Sequence, residues 1–194
     1  PSGASFAADQ ALTFNVASTF TNLTIGSATN SANLSLTSGN IAIAGPISLY
    51  AGNITLNANL ATTSANASLL VKSLGQITSS GGNHTYQTNN GSLVFWSNAN
   101  DSTAGGITLG NTTTLNTANG STTQTSGGGQ IILGGGSAVD SNGNPTGAAV
   151  SANDGAVALG GAGSAAIYSG GGNISIKGNS SGGTGVMVQR NTII

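Results

Sequence analysis

The chain has 194 residues, of which only 4% are charged, and its formal net charge at pH 7 is −1. Three basic side chains, far apart in sequence, do not form the cationic cluster that nucleic-acid binding needs, and the absence of Cys excludes disulfides and thiolate metal sites. The longest apolar run is far shorter than the roughly 20 residues of a membrane helix, so we expect no membrane insertion of this segment.

The first 38 residues carry three short strand patterns, at 12–16, 23–25 and 34–36. A stronger pattern follows nine times: a glycine, usually with one small or polar residue after it, leads into apolar residues at alternate positions. Such alternation is typical of a half-buried strand, and the glycine supplies a corner before it. The nine segments are 39–43, 52–56, 75–77, 91–95, 106–109, 129–133, 155–159, 172–176 and 185–188.

Short strands separated by corners, with no helical segment, are typical of a solenoid. Three strands and their corners would use about 20 residues per coil, which predicts about nine coils. We expect residues 1–194 to form one continuous segment with an apolar interior. The residues predicted to be buried are Ile41, Ile43, Ile54, Leu56, Leu93, Phe95, Ile107, Leu109, Ile131, Leu133, Ile174 and Ile176.

Residues 134–155 differ from the rest, because they are dense in residues that favour turns. We interpret them as a loop or insertion that projects from one corner. Asp140, Asn142 and Asn144 have the first spacings of a calcium loop, but Pro145 stands where such loops use glycine and Ser151 where they use an acid. A plain turn is therefore the favoured interpretation.

The Gly-Asn-Ile-x-Ile/Leu motif occurs within 39–60 and 127–176, the spacers are rich in Thr and Asn, and Cys is lacking. In these three features the chain resembles exoproteins of the filamentous-haemagglutinin type. These are large bacterial adhesins that are exported by two-partner secretion. The resemblance implies an all-β, right-handed parallel β-helix, secreted or on the bacterial cell surface, and an internal section of a longer protein. It carries over no catalytic motif.

Two aromatic residues are candidates for contact with a ligand or partner. In a strand with Leu93 and Phe95 inward, Trp96 lies on the outside, where it could stack on a sugar ring together with Tyr86. The alternative is that Trp96 packs under a neighbouring loop or against Tyr86. His84, the only histidine, has no nearby acid or second imidazole, and we expect it on the outer surface next to Tyr86.

The chain also contains eleven Asn-x-Ser/Thr sequons. Some of them are expected by chance, because the chain is rich in Asn, Ser and Thr. Some adhesins of the resembling kind are glycosylated at this sequence, so modification is a second kind of candidate site. The acceptors would be Asn22, Asn33, Asn53, Asn66, Asn83, Asn90, Asn100, Asn111, Asn119, Asn173 and Asn179.

Four scattered aspartates and no glutamate do not supply paired carboxylates, so we expect neither an enzyme nor a bound metal or cofactor. The first functional hypothesis is a structural or adhesive rod of an extracellular fibre. Neither end of the sequence has a polar cap, so we expect its partner to be itself, through further coils or end-to-end stacking of copies. A carbohydrate-binding module that recognises host or environmental glycans is one alternative. An ice-binding solenoid is another, although the Thr-x-Thr segments have no common period.

Overall fold

The computed structural model describes residues 3–18, 20–102, 104–110, 112–161, 163–189 and 192–193. The regular elements in these residues are all strands. Within them, no membrane-spanning helix is found. The strands are β1 (Gln10–Ser18), β2 (Leu23–Ile25), β3 (Leu34–Ile43), β4 (Ile47–Ala51), β5 (Ile54–Leu56), β6 (Asn59–Thr62), β7 (Leu69–Ser73), β8 (Ile77–Ser79), β9 (Asn83–Gln87), β10 (Leu93–Ser97), β11 (Ile107–Leu109), β12 (Thr112–Asn116), β13 (Ile131–Val139), β14 (Pro145–Gly147), β15 (Ala149–Ser151), β16 (Val157–Leu159), β17 (Ala165–Tyr168), β18 (Ile174–Ile176), β19 (Gly178–Ser180), β20 (Val186–Val188) and β21 (Thr192–Ile193).

The strands stack in three parallel ladders. The first ladder contains the start of β3 and then β5, β8, β11, β16 and β20, while the second contains the end of β3 and then β6, β9, β12, β17 and β21. Strand β1 pairs along both halves of β3 and joins the two ladders in one 12-stranded sheet. The third ladder is β2, β4, β7, β10, β13 and β18. The chain visits the ladders in turn and then returns to the first, which makes the fold solenoid-like, as the sequence predicts.

Register places similar residues above one another from rung to rung. One row of the first ladder is Gln10, Leu34, Ile54, Ile77, Ile107, Val157 and Val186. The distance along the chain between successive members is not constant, because loops of different length connect the ladders. Consequently, a row that is regular in space has no fixed period in the sequence.

The inward residues of the three ladders form one apolar core. Ten of the twelve residues predicted to be buried are at most 1% exposed. The prediction is wrong for Ile174, which is 36% exposed, and for Ile176, which is half-buried. Both lie in β18, which pairs with β13 on one side and has no further strand of the described chain on the other.

A close approach between rungs explains the glycine at the corners before third-ladder strands. A Cβ atom at Gly91 would lie 2.1 Å from the Ala67 carbonyl oxygen, and one at Gly129 would lie 2.0 Å from the Gly91 oxygen. Any side chain at these corners would therefore force neighbouring rungs apart.

Residues 134–155, which the sequence predicts to be a loop or insertion, contain strand segments joined by turns. Strand β13 continues to Val139 and pairs antiparallel with β14, and β15 pairs parallel with β19. The run Gly134–Gly135–Gly136 hides this strand from an analysis based on apolar alternation. The β13–β14 hairpin is the feature of the fold that shapes the candidate site.

Candidate functional site

The outer face of the third ladder carries a second, smaller apolar cluster. In β10 the side chain of Phe95 belongs to the main core, whereas Val94 and Trp96 point outward and pack with Ile132 of β13. Val94 and Trp96 are 6% exposed and Ile132 is 7% exposed. The predicted phase of the strand is therefore confirmed, although its outward residues are covered.

The β13–β14 hairpin covers this cluster. The indole Nε1 of Trp96 donates a hydrogen bond to the Gly136 carbonyl oxygen at 2.7 Å. A Cβ atom at Gly134, which pairs with Trp96, would lie 3.9 Å from Cγ of Pro145, so the returning strand lies against this face. Asp101 fastens the hairpin from the side by accepting hydrogen bonds from the backbone N–H of Ser137, at 2.9 Å, and from its hydroxyl. These bonds lower the pKa of the Asp101 carboxyl.

Lys72 closes the remaining side of the indole. Its Nζ lies 3.4 Å from the Trp96 ring centroid, an arrangement that places a cation over an aromatic face. Partial burial lowers the pKa of Lys72. The prediction of an exposed Trp96 available for sugar stacking is thus wrong, and the alternative that it packs under a neighbouring loop is confirmed.

Tyr86 and His84 are inside the solenoid, and their predicted exposure is also wrong. Tyr86 is 0% exposed, packs edge-on against Phe95 with ring centroids 5.3 Å apart, and donates its hydroxyl to the Leu56 carbonyl oxygen at 2.9 Å. Burial raises the pKa of its phenol. His84 is 7% exposed, and its Nε2 has no hydrogen-bond partner in the described residues. Alternation in β9 places both rings inward, a phase that its sequence, Asn-His-Thr-Tyr-Gln, does not reveal.

The predicted sequon asparagines are not equivalent in the structure. Asn33 and Asn53 belong to a ladder of hydrogen bonds at one corner: Asn53 N–H donates to Oδ1 of Asn33 at 2.8 Å, and Gln76 N–H donates to Oδ1 of Asn53 at 3.0 Å. Asn111 lies outside the described residues. Asn33 and Asn90 are half-buried, and the exposed acceptors are Asn22, Asn53, Asn66, Asn83, Asn100, Asn119, Asn173 and Asn179.

Asp140 organises the tip of the hairpin. Its Oδ1 accepts the backbone N–H groups of Asn142 at 2.8 Å and Asn144 at 2.9 Å, and these bonds, with that to Asn144 first, lower the pKa of its carboxyl. This geometry is a plain turn, as the sequence favours. In the described part of the chain no three His, Asp, Glu or Cys side chains come together as a metal site.

A groove of about 330 Å³ lies between the hairpin tip and the outer face of the third ladder. The ladder side contributes aliphatic and hydroxyl side chains, and the tip contributes amides. The lining residues are Ser68, Leu69, Leu70, Ser92, Val94, Gln130, Asn142, Gly143 and Asn144. The sequence does not reveal this groove, because Asn142 meets Leu70 and Val94 only after the hairpin folds back.

Comparison with known proteins finds no match to a family model, to a curated protein or to a solved structure.

Proposed function

We propose that the chain is a structural and adhesive rod of an extracellular fibre on the bacterial cell surface, without catalytic activity. The support is the continuous apolar core inside three ladders, combined with an outer surface that carries very little charge. Each rung contacts its neighbours, so such a stack extends by repetition without any new kind of contact. The resemblance to filamentous-haemagglutinin exoproteins points to the same role.

We further propose that the stack winds in the right-handed sense and contains about seven coils in place of the predicted nine. The row from Gln10 to Val186 has seven members. The coil from Leu34 to Ile54 is 20 residues long, but the one from Ile107 to Val157 takes 50, because it includes the hairpin. Six steps of about 4.8 Å make this row about 29 Å long.

The observation that carries the rod proposal is the uncovered edge at β18 and β20. In the described residues these strands pair only with β13 and β16, and Ile174, Val186 and Val188 remain partly accessible there. Unpaired backbone groups beside apolar side chains favour pairing with another strand. We propose that further coils of the same kind, or the opposite end of a second copy, cover this edge.

Electron microscopy of the protein at increasing concentration tests the rod. We expect thin unbranched rods that lengthen with concentration, and a 4.8 Å repeat along their axis. Compact particles of constant size at all concentrations would contradict the proposal. Substituting Lys for Val188 should shorten the rods by placing charge at the edge, whereas the matched change Met187→Lys, on the outward side of β20, should leave their length unchanged.

Ice binding is a second candidate, because register reveals a hydroxyl row that the sequence spacing hides. Ser35, Thr55, Thr78 and Thr108 lie above one another on the outer side of the first ladder, with Oγ1 atoms of Thr55 and Thr78 3.4 Å apart. Ice shaping or thermal hysteresis that Thr78→Val alters would favour this candidate. The absence of both effects in the native protein would eliminate it.

A further inference from the structure

The floor of the groove beside the hairpin tip is aliphatic. Leu70 and Val94 are neighbours in register on the outward side of β7 and β10, and both belong to the outer apolar cluster. Val94 is 6% exposed, whereas Leu70 is half-buried and offers part of its side chain to the groove. Such a surface suits the C–H face of a ligand that is not wholly polar.

The rim of the groove has hydrogen-bonding capacity that the protein does not use. Ser68, Ser92 and Gln130 are consecutive in register, one position before the first inward residue of their strands, and Asn142 faces them from the hairpin tip. The side chains of these four residues make no hydrogen bond within the described part of the chain. Hydroxyls and amides both donate and accept, so the rim matches a ligand that carries hydroxyl groups.

The groove is also electrically neutral, because none of its lining residues is charged. The nearest acid along the hairpin, Asp140, directs its carboxylate to the N–H groups of its own turn. A charged ligand would therefore lose its hydration without gaining an opposite charge. This disfavours phosphate, sulfate and carboxylate ligands.

A second depression of about 530 Å³ continues past Ser68 along the corner between the second and third ladders. Thr21, Pro46 and Ser64 are among its lining residues, and it too lacks charged side chains. Ser68 lines both depressions, so the two lie next to each other, and their lining residues come from successive rungs. Adjacent depressions of this kind suit a chain of several units better than one small molecule.

We propose that the groove at the hairpin tip binds a neutral oligosaccharide, with one sugar ring resting on the accessible part of Leu70 and its hydroxyls bonded to Gln130, Asn142 and the two serines. A pyranose ring combines an apolar C–H face with hydroxyls at its edge, as this lining requires. The site differs from the predicted aromatic one at Trp96 and Tyr86, which is buried. It goes beyond the rod proposal and does not depend on it, since rod formation is measured by microscopy and this site by ligand binding.

An array of neutral, sialylated and sulfated oligosaccharides, followed by titration calorimetry with the strongest ligand, tests the site. We expect the native protein to bind neutral oligosaccharides in preference to charged ones. The double variant Gln130→Ala/Asn142→Ala removes two hydrogen-bonding groups and should weaken binding about tenfold or more. The matched pair Gln76→Ala/Asn153→Ala removes the same residue types at exposed positions outside the groove and should bind like the native protein.

The emission of Trp96, the only tryptophan, verifies that the hairpin stays in place in each variant. If the double variant loses that signal, Ser92→Ala replaces it, since this change removes one rim hydroxyl without touching the hairpin. Failure of the native protein to bind any neutral oligosaccharide overturns the proposal. Preference for charged ligands, or equal binding by the groove variants, overturns it as well.

Discussion

Asn33 and Asn53 show how a side chain can extend backbone pairing around a corner. Their Oδ1 atoms each accept an N–H group from the following rung, and Asp9 does the same for Asn33 at 2.8 Å. The asparagine content of the chain therefore has a structural role at this corner. The same residues are candidate glycosylation sites, where a sugar would bond to Nδ2, and Nδ2 of Asn33 donates a hydrogen bond to Oδ2 of Asp9 at 3.0 Å.

Replacing Asn53 by Ala should lower the free energy of unfolding by about 1 kcal/mol, because the N–H of Gln76 loses its acceptor. Asn53→Asp keeps an acceptor oxygen and should cost less. Urea unfolding measures both values, with Asn22→Ala, at an exposed asparagine outside this corner, as the control. Equal stabilities for Asn53→Ala and the control would refute the role of the ladder.

Tyr86 should make the protein sensitive to alkali. Burial raises the pKa of its phenol above the ordinary value of 10.0, so the folded state favours the neutral form. This contribution to stability is complete below pH 10 and is lost as the pH rises above it, because the unfolded chain then ionises more readily. Urea unfolding between pH 8 and 11.5 should show a steeper loss for the native protein than for Tyr86→Phe.

The Tyr86→Phe variant should be about 1–3 kcal/mol less stable than the native protein at pH 8, since the buried Leu56 oxygen loses its hydrogen-bond donor. Parallel pH profiles for the two proteins would mean that Tyr86 is accessible to solvent. That result would contradict the inward phase of β9.

At the scale of elements, the difference between inner and terminal strands can be measured with one kind of substitution. Ile54 in β5 is 0% exposed and has neighbours in β3 and β8, whereas Ile174 in β18 is 36% exposed. Ile54→Ala should therefore cost about 2–5 kcal/mol, and Ile174→Ala less than about 1 kcal/mol. Chemical unfolding of the dilute protein gives both values, and similar costs would show that β18 is covered in solution.

The hairpin provides a second test at this scale, because Trp96 reports whether it is docked. Asp101→Gly removes both hydrogen bonds to Ser137 and suits the positive φ of 56° at this position. We expect stronger quenching of Trp96 by acrylamide and a shift of its emission to longer wavelength. Circular dichroism should remain that of a β protein.

Lowering the pH of the native protein should likewise increase the quenching of Trp96 and shift its emission to longer wavelength. Hydrogen bonds lower the pKa of Asp101 below its ordinary value of 3.8, so its contribution to stability is present above that value and is lost as the pH falls through the folded-state value. Quenching that does not change in Asp101→Gly or in acid would show that other contacts hold the hairpin.

How far the sequence predicts the structure depends on the range of the contacts. The pattern Gly52-Asn53-Ile54-Thr55-Leu56 predicts β5 and its buried face, because alternation and the corner are local features. Burial of Trp96 depends on Gly136, which lies 40 residues away. No local pattern contains that contact, and for the same reason the groove lined by Leu70 and Asn142 is found only in the structure.

At the scale of the whole molecule, the fold depends on the parallel register of successive rungs. Thr55 pairs with Thr78, and Thr78 pairs with Thr108, although 23 and 30 residues separate them along the chain. The three side chains point outward, so changing them leaves the core intact. The chain has no Cys of its own, which makes engineered pairs unambiguous.

Disulfide formation between Cys pairs at these positions tests that register most directly. Neighbouring strands are about 4.8 Å apart, within the Cα separation of a disulfide, whereas two rungs span about 9.6 Å, which exceeds it. The parallel register predicts rapid intramolecular oxidation of Thr55→Cys/Thr78→Cys and of Thr78→Cys/Thr108→Cys, and none of Thr55→Cys/Thr108→Cys, as measured by mass spectrometry of the monomer. Efficient linking of positions 55 and 108, or failure of both neighbouring pairs to link, would contradict the stacked arrangement of the strands.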